Sequence, residues 1–282
     1  MEKLTYINGR GRKIVLGDAA PYILTKIEGL GASDTNIQSQ KSPDQDGESY
    51  IGLTLQPRSM SIEIMIVANT ENEMIRRREA ALQIFNPKLG PGTLVYTIGE
   101  KERRISAISE LAPSFPDAGD FKDTMQPGLI QLYCPDPFWL DPGETSEEIV
   151  TWIGGMRFPL RLPTRFAMKG SKKINITNNG DVDTPVKIEI SGPATNPKII
   201  NQSTGEYIKV NRALVQGDTL VITTGFGKKR VEINDQNVFN WIDLNSTFWQ
   251  LQPGDNIIEY TSDDEVESAA VKITYFNRYL GV

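Results

Sequence analysis

Apolar residues in the first half of the chain recur with the two-residue period of β-strands. Residues 4–7 and 13–16 flank the glycine-bearing turn Asn8-Gly9-Arg10-Gly11, which predicts an opening hairpin. Residues 22–28 form a third predicted strand, and residues 61–67 alternate before they become apolar, as a half-buried strand does. The first half is therefore predicted to consist mainly of strands.

One segment of the first half has a helical period instead. Residues 71–85 are predicted to form the single helix, with Asn69 or Thr70 as its cap and Pro87 beyond its end. Helical spacing predicts one face directed toward the core, made of Met74, Ile75, Arg78, Ala81, Leu82 and Phe85. We therefore expect a β-sandwich-like first domain that carries one helix.

A long polar segment, residues 29–47, separates the third predicted strand from the alternation that resumes at residues 50–56. Loops longer than roughly 12–15 residues are usually functional or disordered. The sequence leaves both interpretations open. The segment is either disordered or a hairpin arm that contacts a neighbouring subunit.

The second half of the chain has an all-β pattern. Residues 171–178 and 186–191 alternate cleanly, and further short strands are predicted near residues 198, 207–210, 219–223, 230–233, 256–260 and 269–276. Clusters of Gly, Asn and Asp separate them. Short strands with turn residues between them predict a β-sandwich.

The two halves meet at a proline-rich stretch near the middle of the chain. A predicted strand, residues 128–133, runs into Cys134-Pro135-Asp136-Pro137-Phe138-Trp139. Proline lacks an N–H and fixes φ, so the sheet is expected to stop there, and the two large aromatic rings need cover from water. These six residues are the predicted domain seam, with domains at 1–140 and 141–282.

Composition narrows the possible chemistry. The 282 residues include no histidine and one cysteine, and the net charge is −6. Without histidine, Ser-His-Asp and Cys-His catalysis and His-ligated metals are excluded, and an enzyme would have to work with carboxylates, Lys or Tyr alone. With most common catalytic routes closed, we expect no metal, no cofactor and no enzymatic activity. The acidic balance argues against nucleic-acid binding. Cys134 is expected to be a small buried apolar residue.

The chain carries no predicted export or membrane signal. Its first residues lack the apolar core of a secretory signal, and no apolar run approaches the roughly 18 residues of a spanning helix. We therefore expect folding in the cytosol and no membrane partner.

Two local motifs are candidates for binding sites. Trp241, Phe248 and Trp249 lie close together in the sequence, which is compatible with core packing, a protein contact or an aromatic platform for sugar rings. Gly225-Phe226-Gly227-Lys228-Lys229 lacks the spacing of a phosphate loop and is predicted to be a hairpin turn.

Three segments together resemble the distal tail proteins of long-tailed bacteriophages. They are the midpoint motif Cys134-Pro135-Asp136-Pro137-Phe138-Trp139, the run Asn86-Pro87-Lys88-Leu89-Gly90-Pro91-Gly92-Thr93-Leu94 after the predicted helix, and the closing residues 273–282, similar to the family's usual final strand. The resemblance covers nearly the whole chain in order.

The resemblance implies a structural subunit rather than an enzyme. In that family the N-terminal domain bears a hairpin and a helix and builds a hexameric ring, and the second half would be a galectin-like jelly-roll. The ring would link the tail tube to the tip or baseplate and to host-adhesion proteins. The implied partners are copies of the chain, the tail tube protein, a tail-tip protein and receptor-binding proteins. The implied location is the virion tail tip, after assembly in the bacterial host cytoplasm.

Two other functions stay open at this point. The chain could be a carbohydrate-binding protein that attaches to the host surface through its second domain, with Trp241 and Trp249 as the main indications. It could also be a glycosidase that uses carboxylates alone, although no acidic residue is marked out for that role.

Overall fold

A computed structural model describes residues 2–31, 33–117, 119, 124–150, 152–153, 168–169, 172–263 and 269–282. The described chain is mostly β-strand, with one α-helix, α1, at Glu71–Ile84. It divides into two compact units. The first unit is Met1–Pro142 together with Tyr279–Val282, and the second is Gly143–Arg278. None of the described helices is long and apolar enough to span a membrane.

The strands take the following bounds. Up to the middle of the chain they are β1 (Glu2–Ile7), β2 (Lys13–Leu16), β3 (Tyr22–Glu28), β4 (Thr35–Gln40), β5 (Ser49–Leu55), β6 (Arg58–Val67), β7 (Gly92–Ile98), β8 (Lys101–Ser109), β9 (Met125–Cys134) and β10 (Trp139–Leu140). Beyond it they are β11 (Thr145–Val150), β12 (Trp152–Ile153), β13 (Met168–Lys169), β14 (Lys173–Asn178), β15 (Val186–Ser191), β16 (Ala194–Thr195), β17 (Lys198–Asn201), β18 (Glu206–Lys209), β19 (Ala213–Leu214), β20 (Thr219–Thr223), β21 (Arg230–Ile233), β22 (Gln236–Asn237), β23 (Gly254–Thr261), β24 (Ala270–Tyr275) and β25 (Arg278–Tyr279).

The first unit is built around one curved sheet. Its strands follow the order β2-β1-β7-β8-β9-β6-β3, with β10 paired to β8 and β25 to β10. The two outer strands meet, because the Gly17 N–H donates to the Tyr22 carbonyl at 3.2 Å and the Leu24 N–H donates to the Gly17 carbonyl at 2.8 Å. The predicted sandwich-like domain therefore takes the form of one sheet that folds over its own core.

Strict alternation along the strands builds this core. In β6 the buried side chains are at every second position, Met60, Ile62, Ile64 and Ile66. Successive side chains of a strand point to opposite faces, so these four residues share the inner face. Arg58 has the same parity and is also buried.

Helix α1 begins at the predicted cap and packs on the core through a narrower face than predicted. The Thr70 hydroxyl accepts a hydrogen bond from the Glu73 N–H at 3.3 Å. Phe85, just after the helix, stacks on Tyr6 with ring centroids 4.8 Å apart. Met74, Ala81 and Phe85 are buried, at spacings of seven and four residues.

Two residues predicted on that buried face are exposed. Ile75 is 45% exposed and Leu82 is 39% exposed. Each follows a buried residue by one position, which turns it about 100° around the helix axis. The spacing of apolar residues in the sequence predicted a wide buried face that includes both. In the structure, only the narrower stripe around Met74 and Ala81 is buried.

The cap of α1 gives a first testable prediction. Thr70→Ala should lower the free energy of unfolding by about 1 kcal/mol, because the first-turn N–H of Glu73 loses its acceptor. Urea unfolding measures this change. Glu79→Ala, an exposed substitution in the same helix, is the control, and an equal effect of the two substitutions would contradict a capping role for Thr70.

The second unit is a β-sandwich. A six-stranded sheet has the order β11-β24-β15-β20-β21-β22, and a four-stranded sheet has the order β14-β23-β17-β18. Buried residues of both sheets belong to one core, including Ile188 and Leu220 from the larger sheet and Ile199 and Ile258 from the smaller. Two inner faces with a shared core are the defining feature of a sandwich.

The structure divides the chain a little differently from the sequence. The sequence predicts a boundary between residues 140 and 141, whereas the compact units part after Pro142. Strand β24 ends at Tyr275, so the predicted final strand is interrupted, and residues 279–282 belong to the first unit. Contacts of Tyr279 and Leu280, described below, hold this return segment.

Candidate functional site

The polar segment after β3 forms an ordered hairpin arm. Among the described strands, β4 and β5 pair only with each other, in an antiparallel register that places Ile37 opposite Leu53. All six residues of β4 are exposed, as are five of the seven in β5. Of the two interpretations that the sequence left open, the structure favours an arm.

One face of the arm is apolar. Ile37 and Leu53 are directly paired, and Tyr50, opposite Ser39, lies on the same face because the two strands alternate together. A register shift between Gln38 and Ser39 leaves Ile51 as an extra residue in β5. Ile37, Tyr50, Ile51 and Leu53 are 60%, 68%, 62% and 47% exposed. We call Ile37, Tyr50 and Leu53 the arm face.

Such a surface is unusual for an isolated chain. Fully burying one side chain of this size contributes about 1.5–3 kcal/mol. Large apolar side chains that share one exposed face mark interaction sites more often than single exposed ones do. The arm face is therefore the leading candidate for a protein contact.

The base of the arm is fixed by a buried arginine. Arg58, the first residue of β6, is 2% exposed. Its Nη1 donates to the Gly29 carbonyl at 2.6 Å and to the Gly31 carbonyl. Its Nε and Nη2 donate to the Pro137 carbonyl at 3.1 and 3.0 Å, and Nη2 also donates to the Leu280 carbonyl at 2.6 Å. One guanidinium thus joins three segments that are far apart in sequence.

The environment of Arg58 explains why only an arginine serves here. The planar guanidinium directs five N–H donors outward in a fixed fork, whereas lysine has a single flexible ammonium. Burial lowers the pKa of Arg58, yet the many carbonyl acceptors keep the charged form satisfied. The first carbonyl belongs to Gly29, which has a φ of 89° and where a Cβ would clash with the Ser59 carbonyl, so only glycine fits.

Arg58 was missed by the sequence analysis, although a signal was available. The predicted strand began at residue 61, whereas β6 begins at Arg58. Extending the alternation of Ile62 and Ile64 back to residue 58 places the arginine on the inner face. A charged residue at an inward position needs hydrogen-bond partners, so it marks a place where separate segments of the chain meet.

The predicted seam spans the end of β9 and the start of β10. Cys134 and Trp139 are buried, and the residues between them are exposed or half-buried, namely Pro135, Asp136, Pro137 and Phe138. The Cys134 Sγ lies 3.8 Å from the Met60 Sδ, and burial raises the pKa of the Cys134 thiol to about 12. The thiol is therefore protonated at neutral pH and unreactive.

A second set of contacts joins Asp141, just after the seam, to Tyr279 near the end of the chain. The Arg103 guanidinium donates to the Asp141 carboxylate at 2.5 Å and lies 3.7 Å from the centroid of the Tyr279 ring. The Tyr279 hydroxyl donates to the same carboxylate at 3.4 Å. Arg103, the third residue of strand β8, thus contacts both Asp141 and Tyr279.

At the other end of β3, a small cleft opens in the first unit. It has a volume of about 360 Å³, and its apolar lining includes Val15, Ala19, Ala20 and Pro21. We call these four residues the end cleft. The arm leaves β3 after Glu28, and the end cleft lies just before Tyr22, so the two features sit at opposite ends of a seven-residue strand.

The three aromatic residues singled out in the second unit do not form one exposed platform. Trp249 is 1% exposed and belongs to the core, so it offers no ring face to a ligand. Phe248 is half-buried and stacks on Phe239 with centroids 5.7 Å apart. Trp241 is 43% exposed, and the Arg212 guanidinium lies 5.2 Å from its ring centroid.

Metal-binding chemistry has no visible basis in the described part of the chain. Among those residues, no group of three or more His, Cys, Asp or Glu side chains is placed to hold a metal ion.

Two family models match the sequence. A phage tail protein RIFT-related domain matches residues 9–134, and a siphovirus-type tail component C-terminal domain matches residues 179–279. No curated protein matches the sequence.

Solved structures with the same fold come from phage tails. The crystal structure of SPP1 Dit (gp 19.1), described as a paradigm of the hub adsorption apparatus in phages that infect Gram-positive bacteria, is 15% identical, with a TM-score of 0.71 over 99% of each chain. A chain of the phage P2 baseplate in its activated conformation with Ca is 13% identical, with a TM-score of 0.50 over 97% of each chain. These likenesses show the fold, and the two family models cover most of the sequence. The chain therefore belongs to the siphovirus-type tail component family and is a phage distal tail protein, a structural component of the tail tip.

Proposed function

We propose that six copies of this chain form a closed ring that links the tail tube to the tip or baseplate and to host-adhesion proteins. A ring requires two different surfaces on each copy, repeated by a rotation that closes. Family membership supports a tail-tip role, and the arm supplies the observation that carries the ring proposal. We further propose that the first unit builds the ring and that the galectin-like second unit offers attachment points to other tail proteins.

The arm face is the first of the two surfaces. It projects Ile37, Tyr50 and Leu53 from a hairpin that pairs with no other strand of the described chain. Arg58 fixes the base of the arm through the Gly29 and Gly31 carbonyls, which limits the entropy lost when the arm docks. A fixed base and an apolar face suit an interaction element.

The end cleft is our candidate for the second surface. A seven-residue strand spans about 23 Å at 3.3 Å per residue, so the arm and the end cleft are well separated on one copy. A protruding apolar patch and a distant apolar hole on the same molecule favour head-to-tail contact between copies. Each contact must bury more than about 1,000 Å² to be stable, so neighbouring surfaces have to contribute as well.

The remaining parts of the proposal concern place and partners. We propose assembly in the bacterial host cytoplasm and a final position at the virion tail tip, in contact with the tail tube protein and a tail-tip protein. The exposed Ile75 and Leu82 of α1 are further apolar side chains available for such contacts. The role is one of shape and contact, with no catalytic step.

The mass of the purified chain in solution tests the ring. Six copies of a 31.4-kDa chain have a mass of about 190 kDa, which light scattering during gel filtration measures directly. Negative-stain micrographs should show annular particles with a central hole. A mass of one chain at every concentration, with no annular particles, would contradict the proposal.

A further inference from the structure

The second unit contains a cleft whose residues the ring does not use. Its volume is about 260 Å³, and Phe226 and Phe248 are among the residues that line it. Trp249 is also among its lining residues, but it is 1% exposed and belongs to the core, so it is not offered as a stacking ring. All of these residues belong to the second unit, so the cleft is complete within one copy.

Phe226 is the most unusual residue of this cleft. It follows β20 in a turn closed by the Lys228 N–H, which donates to the Gly225 carbonyl at 3.0 Å, and it is 80% exposed. The Lys229 ammonium lies 5.2 Å from the Phe226 centroid and 5.3 Å from the Phe248 centroid. Cation–π attraction therefore positions the Phe226 ring even though water surrounds most of it.

Polar side chains complete the cleft. Asp183, Glu206, Gln250 and Gln252 line it, and no hydrogen bond or ion pair joins these four side chains to any described residue. Carboxylates accept hydrogen bonds, and carboxamides both donate and accept. The cleft thus combines open aromatic surface with unused donors and acceptors, the mixture that small-molecule sites show.

A saccharide has the complementary chemistry. One face of a pyranose ring carries C–H groups that stack on an aromatic ring, and its rim carries hydroxyls that both donate and accept. Two carboxylates and one ammonium leave the cleft with a negative balance, which disfavours phosphate-bearing or acidic ligands. We propose that this cleft binds a neutral saccharide, with Phe226 as the stacking ring and Gln250 and Gln252 as hydroxyl partners.

This proposal differs from the sugar platform that the sequence suggested. That platform rested on Trp241 and Trp249, but Trp249 is buried and Trp241 does not line the cleft. The proposed site also goes beyond the ring, because it belongs to the second unit and needs no neighbouring copy. Trp241 becomes the natural control.

Titration of the full chain with three methyl glycosides tests the proposal. The probes are the glucoside, the galactoside and the N-acetylglucosaminide, followed by saturation-transfer NMR and calorimetry, with glycerol phosphate as the anionic probe. At least one glycoside should bind, and glycerol phosphate should bind more weakly than that glycoside. Phe226→Ala should lower the affinity at least tenfold, and Gln252→Ala should lower it several-fold.

The control variants separate a stacking role from a general effect. Trp241→Ala, which alters another exposed aromatic residue of the same unit, should change the affinity less than twofold. Phe226 is mostly exposed, so its replacement should leave the far-UV circular dichroism and the mass in solution unchanged. Absence of binding by all three glycosides, equal losses in the Phe226 and Trp241 variants, or preferential binding of glycerol phosphate would each overturn the proposal.

Discussion

The Arg58→Ala chain should unfold with a free energy about 3–5 kcal/mol below that of the unsubstituted chain. The substitution removes the donors that satisfy the carbonyls of Gly29, Gly31, Pro137 and Leu280. A carbonyl left unpaired away from water costs about 1–3 kcal/mol, and the lost side chain also leaves a cavity. The arm base, the seam and the return segment should loosen together.

Thermal and urea unfolding of the first unit measure this effect. A loss of this size corresponds to a drop in melting temperature of about 10 °C for a unit of roughly 150 residues. Arg58→Lys should be intermediate, because an ammonium cannot reach three separate segments at once. Arg10→Ala, which removes an exposed arginine of the first turn, is the matched control. Equal unfolding of the Arg58→Ala and Arg10→Ala chains would refute the role given to Arg58.

The second large effect concerns the arm face. Replacing the cross-strand pair Ile37 and Leu53 with threonine should abolish the ring and leave a folded monomer. Paired threonines keep the hairpin, because β-branched side chains suit strands and Thr–Thr pairs are favourable. The lost apolar burial is about 3 kcal/mol at each contact between copies, which weakens that contact more than a hundredfold.

A control on the same hairpin shows whether the apolar face is responsible. Asn36 and Thr54 pair on the opposite face, so Asn36→Thr builds a Thr–Thr pair there without touching the arm face. That variant should retain the mass of the ring by light scattering. Rings that persist at unchanged concentration in the Ile37→Thr/Leu53→Thr chain would rule out the arm face as the contact.

The receiving surface can be tested separately from the ring itself. The native Cys134 is buried and stays protonated, so it does not interfere with engineered thiols. A chain carrying Leu53→Cys and Val15→Cys should give a ladder of covalent oligomers on oxidation if the arm of one copy reaches the end cleft of the next. A ring of the expected mass without a ladder would reject the end cleft and leave the ring intact.

Much of the fold could be predicted from short stretches of sequence, because the bounds of many strands and the start of the helix are set by nearby residues. The predicted bounds of β3, β15 and β20 match the structure, and in β15 the alternation of Val186, Ile188 and Ile190 with polar residues is also the pattern of burial. The cap at Thr70 follows from the need to satisfy first-turn N–H groups. In these cases neighbouring residues alone decide the structure.

Other features depended on contacts that sequence neighbours do not reveal. Ile75 and Leu82 have the spacing of core residues, but the sheet beneath α1 covers only one stripe of the helix. Trp249 and Trp241 are eight residues apart and alike in chemistry, yet one is buried and the other exposed. Neither residue lies on a strand, so its burial depends on whether its connecting segment packs over the sandwich core, and that depends on the whole topology.

The candidate site was predicted in position but not in detail. A long polar segment between strands marked the arm, whereas the apolar face required the register that pairs Ile37 with Leu53. The saccharide cleft had no local signal, since Phe226 and Gln252 are brought together by the fold from distant positions.

The return of residues 279–282 to the first unit makes the second unit an insertion with two covalent stems. Asp141 lies just before the first stem and Tyr279 just after the second, and the Arg103 guanidinium and the Tyr279 hydroxyl both donate to the Asp141 carboxylate. A protease that nicks one stem would therefore leave the insert tethered through the other. Recombination that exchanges the whole stretch between the stems would deliver a new module without cutting into the scaffold's core.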